Sequence, residues 1–165
     1  MKIKSYQGKL ILCLVISAFS NFASGQVAVM QSQNQKALLY SGDPKLARNK
    51  KIVYDFWREV LEAGHMELAS QFLAESYIQH NPNVPTGRQS FIDLFSKYMK
   101  PQPFVDSIKT PLVAIVAEND LVVFIYKIEL PDPKNPSKNY TTTGFDMFRI
   151  EGDKIAEHWD TATKQ

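Results

Sequence analysis

The sequence predicts an α+β fold, in which a helical half is followed by an antiparallel sheet. In the first 100 residues, apolar side chains recur at the spacing of helical turns. From Leu112 onward, runs rich in β-branched and aromatic residues alternate with short polar turns. With 165 residues, 44% hydrophobic and 22% charged, the chain has the composition of one globular domain.

The first 25 residues have the pattern of a secretory signal. Three lysines precede an apolar run that begins at Leu10 and is too short to span a bilayer. Ala23 and Gly25 supply the small residues that a signal peptidase accepts before a cut at Gln26. We therefore expect residues 1–25 to be cleaved and the protein to be periplasmic or secreted, the alternative being an uncleaved N-terminal anchor.

Cleavage would also change the charge of the chain. It would remove the only cysteine, Cys13, and three of the 19 basic residues, leaving 16 basic against 17 acidic residues. The remaining sequence has no basic stripe interleaved with aromatics, so we expect no nucleic-acid partner and, after cleavage, no membrane association. Without disulfides, its stability must come from packing.

Residues 26–42 are rich in Gln, Ser and Asn, which predicts a flexible N-terminal extension. The domain is therefore assigned to residues 43–165. Asp43 is suited to cap a helix, and Pro44 to its first turn, where a missing N–H costs nothing. The apolar stripe that follows predicts a long helix that ends at Gly64.

Two further helices are predicted in this half. A short one covers residues 66–73, and residues 77–85 then contain two prolines, which indicates a loop or short turn. Thr86 and Gln89 have the spacing of a capping box, so a third helix should begin there and end before Pro101.

The second half predicts four strands in an antiparallel meander: Leu112–Ala117, Leu121–Leu130, Tyr140–Ile150 and Ile155–Thr161. Asn119–Asp120 and Gly152–Asp153 are suited to short turns. The proline-rich segment Pro131–Asn139 predicts a longer loop.

Two sequence motifs connect this pattern to a known family. They are Tyr77–Pro82 (YIQHNP) and Asp146–Arg149 (DMFR), the latter followed by Glu157–Asp160 (EHWD). Over residues 47–161 the chain resembles the SnoaL-like family of the nuclear transport factor 2 (NTF2-like) superfamily. The resemblance implies a cone, in which a curved antiparallel sheet of four or more strands packs against N-terminal helices around an apolar pocket. It also implies that the open sheet face commonly serves for dimerisation.

The resemblance gives Asp146 a catalytic role, since the aspartate of this motif is the general acid/base of the polyketide cyclases in the family. A physical argument leads to the same residue. Asp146 lies between Phe145 and Met147, where a carboxylate is costly unless it is partnered, protonated or functional. A carboxylic acid in an apolar pocket has a raised pKa and can exchange protons with a carbonyl compound near neutral pH. The alternative is that Asp146 pairs with an arginine or caps a backbone group.

His80 is the predicted catalytic partner of Asp146. In the family its loop lies at the mouth or wall of the cone, where an imidazole would share a proton with Asp146 or orient a substrate oxygen. Asn81 and Tyr77, from the same segment, are predicted to bind substrate. The alternative is that His80 and Asn81 stabilise the turn before Pro82 through local hydrogen bonds.

Strict alternation along the last strand places Trp159 on the face of Ile155, and His158 and Asp160 on the opposite face. Trp159 and Trp57 are therefore predicted to line the pocket, although aromatics at helical spacing, such as Trp57, are more often plain core. His158 and Asp160 would face solvent, the sheet edge or a subunit contact, and His158 is kept only as a reserve catalytic residue.

Other chemistries find less support. With three histidines and no tight ligand cluster around them, we expect no metal, and no cofactor is predicted. The sequence has neither a phosphate-binding glycine loop nor a nucleophile elbow. The epoxide-hydrolase branch of the superfamily uses an Arg-x-Asp arrangement, whereas Gly144 stands two residues before Asp146, which disfavours epoxide hydrolysis.

These features predict an exported, cofactor-free acid/base enzyme that acts on a small hydrophobic carbonyl compound by aldol-type cyclisation or isomerisation. The alternative is a non-catalytic periplasmic module that binds an apolar ligand in the cone or a partner chain on the sheet. Apolar positions on more than one sheet face, such as Val113 and Phe124, also predict a homodimer.

Overall fold

The structure is a computed structural model, which describes residues 27–164. Its helices pack against a five-stranded sheet with the strand order β1-β5-β4-β3-β2. The strands are β1 (Leu73–Gln79), β2 (Leu112–Glu118), β3 (Leu121–Asp132), β4 (Asn135–Glu151) and β5 (Lys154–Asp160). β1 pairs with β5 in parallel, and the other three strand pairs are antiparallel. The predicted α+β class is confirmed. The predicted signal, residues 1–25, lies outside the described residues, among which no helix is long and apolar enough to cross a membrane.

The helices are α1 (Gln35–Leu38), α2 (Pro44–Asp55), α3 (Ala69–Phe72) and α4 (Arg88–Phe95). α2 continues as a π-helical turn over Phe56–Glu62, and a 3₁₀ turn over Met66–Leu68 leads into α3. The Asp43 side chain accepts a hydrogen bond from the Lys45 N–H at 2.7 Å and caps α2 as predicted. Gly64 ends this helical segment in the left-handed region, at φ 73°.

Aromatic side chains form the core between the helices and the inner face of the sheet, the face that packs against them. The Phe56 ring contacts Phe72, Phe91 and Phe148 at centroid distances of 6.1, 5.9 and 6.4 Å. Trp57 stacks on another ring of the inner face, Phe124, at 5.2 Å. Such tilted, edge-on and stacked pairs hold the helical layer against the sheet beyond simple area burial.

β1 corrects the sequence analysis, which placed the end of a helix and a loop here. Tyr77 is buried while its neighbours Ser76 and Ile78 are exposed, and Gln79 is half-buried again, so this part of the segment has the two-residue period of a strand. The strand is stabilised by pairing with β5, where Leu73 lies opposite Ile155. That partner is far away in the chain, which explains why local propensity alone did not identify the strand.

The predicted loop at Pro131–Asn139 is also shorter than expected. β3 runs to Asp132 and β4 begins at Asn135, so the two strands form a long hairpin arm. Pairing continues through Leu130 opposite Tyr140.

A β-bulge interrupts β5 at Ala156. Glu157 pairs with Arg149, and Ile155 pairs with Ile150. Ala156 is therefore an extra residue in β5 that has no partner in β4. An inserted residue reverses the facing of every residue that follows it in the strand. The bulge therefore decides which side chains of β5 reach the interior.

Residues 27–42, which were predicted as a flexible extension, lie against the domain. Gln35 is the main anchor, since its Nε2 donates to the Ile108 carbonyl at 2.9 Å and its Oε1 accepts from the Tyr54 hydroxyl at 2.7 Å. Leu38 packs against the core. The Gln35 side chain therefore satisfies both backbone groups of the buried Ile108.

Candidate acid–base site

A cavity of about 110 Å³ lies between the helices and the inner face of the sheet. Its apolar lining consists of Phe56, Trp57, Leu61, Val84, Phe91, Phe95 and Phe148. Its polar lining consists of Tyr77, Gln79, Asn81, Asp146, His158 and Asp160, with no lysine or arginine among the described lining residues. Apolar surroundings with a few convergent polar groups are typical of a small-molecule site. A dry cavity of about 150 Å³ holds benzene in another protein, so this one suits a ligand of comparable size.

The bulge at Ala156 brings the polar residues together. Because it reverses the alternation in β5, His158 and Asp160 lie on the inner face with Asp146, which pairs with Asp160 across the strands. Trp159 is turned to the outer face. The expectation from strict alternation was therefore wrong for all three residues of β5.

Asp146 and His158, called the acid–base pair below, are in direct contact. Asp146 is 5% exposed, and its Oδ1 lies 2.7 Å from His158 Nε2. The His158 ring stacks on Phe148 at a centroid distance of 4.7 Å. Asp146 Oδ2 is buried and receives no hydrogen bond of normal geometry from the described residues. The imidazole thus binds one oxygen of the carboxylate, Oδ1. The other oxygen, Oδ2, lies among the residues that line the cavity.

Gln79 determines where the protons of His158 lie. Gln79 Oε1 accepts a hydrogen bond from the Asn81 N–H at 3.0 Å, and its Nε2 donates to the Tyr77 hydroxyl oxygen at 3.0 Å. His158 Nδ1 lies 3.0 Å from the same Oε1, which is only an acceptor, so Nδ1 must carry a proton. The contact between Nε2 and Asp146 Oδ1 therefore holds a single proton, which the two residues share.

Tyr77 directs a phenol toward the same cavity. The residue is 2% exposed, and burial, followed by the charges of Asp160 and Asp146, raises the pKa of its phenol. Tyr77 therefore stays protonated at neutral pH. Because its oxygen already accepts from Gln79, its own O–H proton is available as a donor to a ligand oxygen.

Asp160, the cross-strand neighbour of Asp146, is held as an acceptor beside the acid–base pair. Its Oδ2 accepts from Asn81 Nδ2 at 2.7 Å and its Oδ1 accepts from the Ala162 N–H at 2.8 Å. Both carboxylate oxygens of Asp160 therefore act as hydrogen-bond acceptors.

The site also contains a potential ligand cluster that the sequence analysis did not expect. One ligand atom each from Asp146, His158 and Asp160 lies within 4.8 Å of the others. In the structure, His158 Nε2 is hydrogen-bonded to Asp146 Oδ1, whereas Asp160 accepts from Asn81 and the Ala162 N–H.

His80 and Trp159, both predicted for the site, lie elsewhere. Their rings stack on each other at a centroid distance of 4.7 Å and an interplanar angle of 6°. His80 Nε2 lies 3.0 Å from Glu157 Oε2, and neither aromatic ring is among the cavity residues. Gln79 faces the cavity, so its neighbour His80 points to the outer face by strand alternation. The partner of Asp146 is therefore His158.

Trp57, Tyr77 and Asn81, predicted to bind substrate, are found on the cavity lining together with Asp146. Gln79 was not predicted for the site. Its spacing of two residues from Tyr77 would have indicated it, had β1 been recognised as a strand.

Comparisons with known proteins agree with this fold. The family model described as a SnoaL-like domain matches residues 53–158. Among solved structures, a candidate SnoaL-like polyketide cyclase from Jannaschia sp. CCS1 is 13% identical, with 74% of this chain and 91% of that chain covered and a TM-score of 0.51. An LEH-like epoxide hydrolase from M. tuberculosis is 12% identical, with coverages of 72% and 80% and a TM-score of 0.51. No curated protein matches the chain.

Proposed function

Because this chain belongs to the SnoaL-like family, we propose that it is a cofactor-free enzyme in which the acid–base pair moves a proton on a small hydrophobic carbonyl compound. The reaction class is isomerisation or aldol-type cyclisation. The observation that carries the proposal is the buried Oδ2 of Asp146 at the cavity, while the other oxygen of the same carboxylate, Oδ1, is bonded to His158. A base needs a lone pair within reach of its substrate.

The first step is abstraction of a proton from the carbon next to the substrate carbonyl. Asp146 Oδ2 takes the proton, and the electron pair of the C–H bond moves toward the carbonyl oxygen to give an enolate. The Tyr77 O–H would donate to that oxygen, where negative charge develops. Donors fixed in place before the reaction stabilise such charge without reorganisation.

The second step decides the outcome. If Asp146 returns the proton to a different carbon, the product is an isomer. If the enolate carbon instead attacks a second carbonyl of the same molecule, a ring closes and the new alkoxide takes the proton. His158 supports both routes, because the proton it shares with Oδ1 offsets the charge changes on the carboxyl group.

The aromatic lining favours this chemistry by keeping water out. Phe56, Trp57 and Phe148 surround the carboxyl group with apolar surface, where electrostatic interactions are stronger than in water. A substrate about the size of one ring would match the cavity volume of about 110 Å³.

The decisive test is proton exchange. Small cyclic ketones are incubated with the protein in D₂O, and loss of the α-proton signals is followed by NMR. We expect exchange by the wild-type protein, its loss in Asp146→Asn, and its retention in Glu157→Gln, a matched change on the outer face of the neighbouring strand. Equal exchange by wild type and Asp146→Asn would refute the proposal. Absence of exchange in both, with a small molecule that co-purifies, would favour the alternative of a non-catalytic binding module.

Export and dimerisation belong to the same proposal. The N-terminal signal would send the protein to the periplasm or outside the cell. The outer face of the sheet presents Phe145, which is 42% exposed, beside a shallow depression lined by Met147 and Trp159. Covering these apolar groups with a second copy would remove them from water.

A further inference from the structure

Tyr126 lies beside the acid–base pair, although the sequence analysis did not single it out. In the antiparallel pairing of β3 and β4, Tyr126 is opposite Gly144, and Phe124 is opposite Asp146. Residues two apart share a face of a strand, so Tyr126, Gly144 and Asp146 all lie on the inner face. Tyr126 is thus the diagonal cross-strand neighbour of Asp146, within reach of a long aromatic side chain.

Gly144 makes room for the Tyr126 ring. A Cβ atom at position 144 would lie 2.3 Å from Tyr126 Cε2, 2.5 Å from its Cζ and 2.8 Å from its hydroxyl oxygen. No side chain tolerates such distances, so any residue other than glycine would displace the ring. The end of the ring that carries the hydroxyl therefore covers Gly144, next to the Asp146 carboxyl group on the same face. Trp57 packs against the same ring at a centroid distance of 5.8 Å.

The environment of Tyr126 keeps its hydroxyl group protonated, so that it can donate a hydrogen bond. Burial and then the nearby Asp146 carboxylate raise the pKa of this phenol. The other titratable groups around Asp146 are His158 and Asp160 from β5 and Tyr77 from β1. His158 occupies Oδ1, whereas Oδ2 receives no hydrogen bond of normal geometry from the described residues.

We propose that Tyr126 is a positioning residue, which holds the charged Asp146 carboxylate by a hydrogen bond to Oδ2, and that glycine at position 144 is required for its ring to do so. The role in turnover rests on the proposed function, because Asp146 must act as the base for its orientation to matter. The contact itself can be tested without a substrate. It would release Oδ2 to a substrate proton by a small rotation of the phenol hydroxyl.

The test is a ¹³C NMR titration of the Asp146 carboxyl carbon, assigned with the Asp146→Asn variant. Removal of a donor to a carboxylate disfavours its charged form, so Tyr126→Phe should move the titration midpoint of the acid–base pair to higher pH by about one unit. Tyr54→Phe is the matched control, since it removes another buried phenol hydroxyl, one that bonds Gln35 instead. The control should leave the midpoint unchanged.

Gly144→Ala tests the role of the glycine with Tyr126 retained. The added methyl group should displace the ring and move the midpoint in the same direction as Tyr126→Phe. In the Tyr126→Phe background, Gly144→Ala should add no further shift, although it would still lower thermal stability. A merely structural role would change stability without moving the midpoint.

The outcomes separate this inference from the proposed function. An unchanged midpoint in Tyr126→Phe overturns the inference even if Asp146→Asn abolishes proton exchange. A shifted midpoint with no exchange by any form of the protein supports the contact and refutes the enzyme. If Gly144→Ala does not fold, the comparison of Tyr126→Phe with Tyr54→Phe still decides.

Discussion

His158 Nε2 lies 2.7 Å from Asp146 Oδ1, and its Nδ1 faces the Gln79 carbonyl oxygen at 3.0 Å. The two contacts leave one proton between the imidazole and the carboxyl group. An aspartate that shares a proton through one oxygen can accept a substrate proton on the other, which is the role proposed for Asp146.

Replacement of His158 should reduce proton exchange more than replacement of His80. His158→Gln removes the shared proton, and we expect a loss of about 10²–10⁴-fold in turnover, the usual contribution of general acid–base groups. His80→Gln is the control, because His80 stacks on Trp159 at the outer face of the sheet, away from the cavity. It should retain nearly full activity. Rates measured by α-proton exchange in D₂O compare the two, and equal losses would contradict the assignment of His158.

Tyr77→Phe should lower turnover by about 10²–10³-fold, because it removes the donor to the carbonyl oxygen on which charge develops. The substrate KM should change less than kcat, since this interaction strengthens in the transition state. Steady-state kinetics on a substrate found by the exchange screen measures both constants. A large increase in KM at constant kcat would show that Tyr77 only binds substrate.

The buried phenols predict a loss of stability at high pH. The pKa of Tyr77 is raised in the folded protein by burial and by Asp160 and Asp146, whereas in the unfolded chain tyrosine titrates near pH about 10. A group whose pKa is higher in the folded than in the unfolded state contributes its full stability at pH values below the unfolded-state pKa. That stability is lost progressively as the pH rises from the unfolded-state pKa through the folded-state pKa. The free energy of unfolding in urea, measured from pH 8 to 11, should therefore fall at the alkaline end. The fall should be smaller in Tyr77→Phe, and an identical fall would contradict this cause.

Gly64→Ala should destabilise the fold by about 1–3 kcal/mol, because position 64 has φ 73° and a Cβ there would lie 2.7 Å from the Lys100 carbonyl oxygen. Gly42→Ala is the matched control, since nothing lies within 4 Å of a Cβ at that position. Urea unfolding of both variants measures the difference. Equal stability of the two would show that the loop at Lys100 can move away without cost.

The outer face predicts a homodimer. Phe145→Glu places a charge among apolar groups and should convert the dimer into a folded monomer, because an unpaired charge is costly to bury. Analytical ultracentrifugation of wild type and variant gives the masses, and circular dichroism checks the fold. A wild-type protein that stays monomeric at high concentration would refute the dimer.

Much of the fold could be predicted because its signals are local. Asp43 and Pro44 begin α2 as expected, and Asn119 and Asp153, which adopt φ values of 55° and 62°, lie in turns that were predicted from residue type alone. The family motif also drew attention to Asp146, which is buried on the inner face opposite Phe124.

The candidate site was harder to predict from the sequence, because it depends on pairing between distant segments. β1 was missed since its partner β5 lies at the other end of the domain. His158 was assigned to the wrong face, because the bulge at Ala156 arises from the register of β4 against β5. A propensity acts over a few residues, whereas a bulge exists only once two strands have met.

The sequence by itself therefore determined the class of fold and the order of most elements, and it singled out Asp146, which lies on the cavity lining. Only the tertiary structure decided which histidine that acid meets and which side chains line the cavity. The physical reason is that a one-residue change in strand register turns every later side chain to the opposite face of the sheet. The chemistry of Asp146 thus depends on Ala156, a residue with no reactive group.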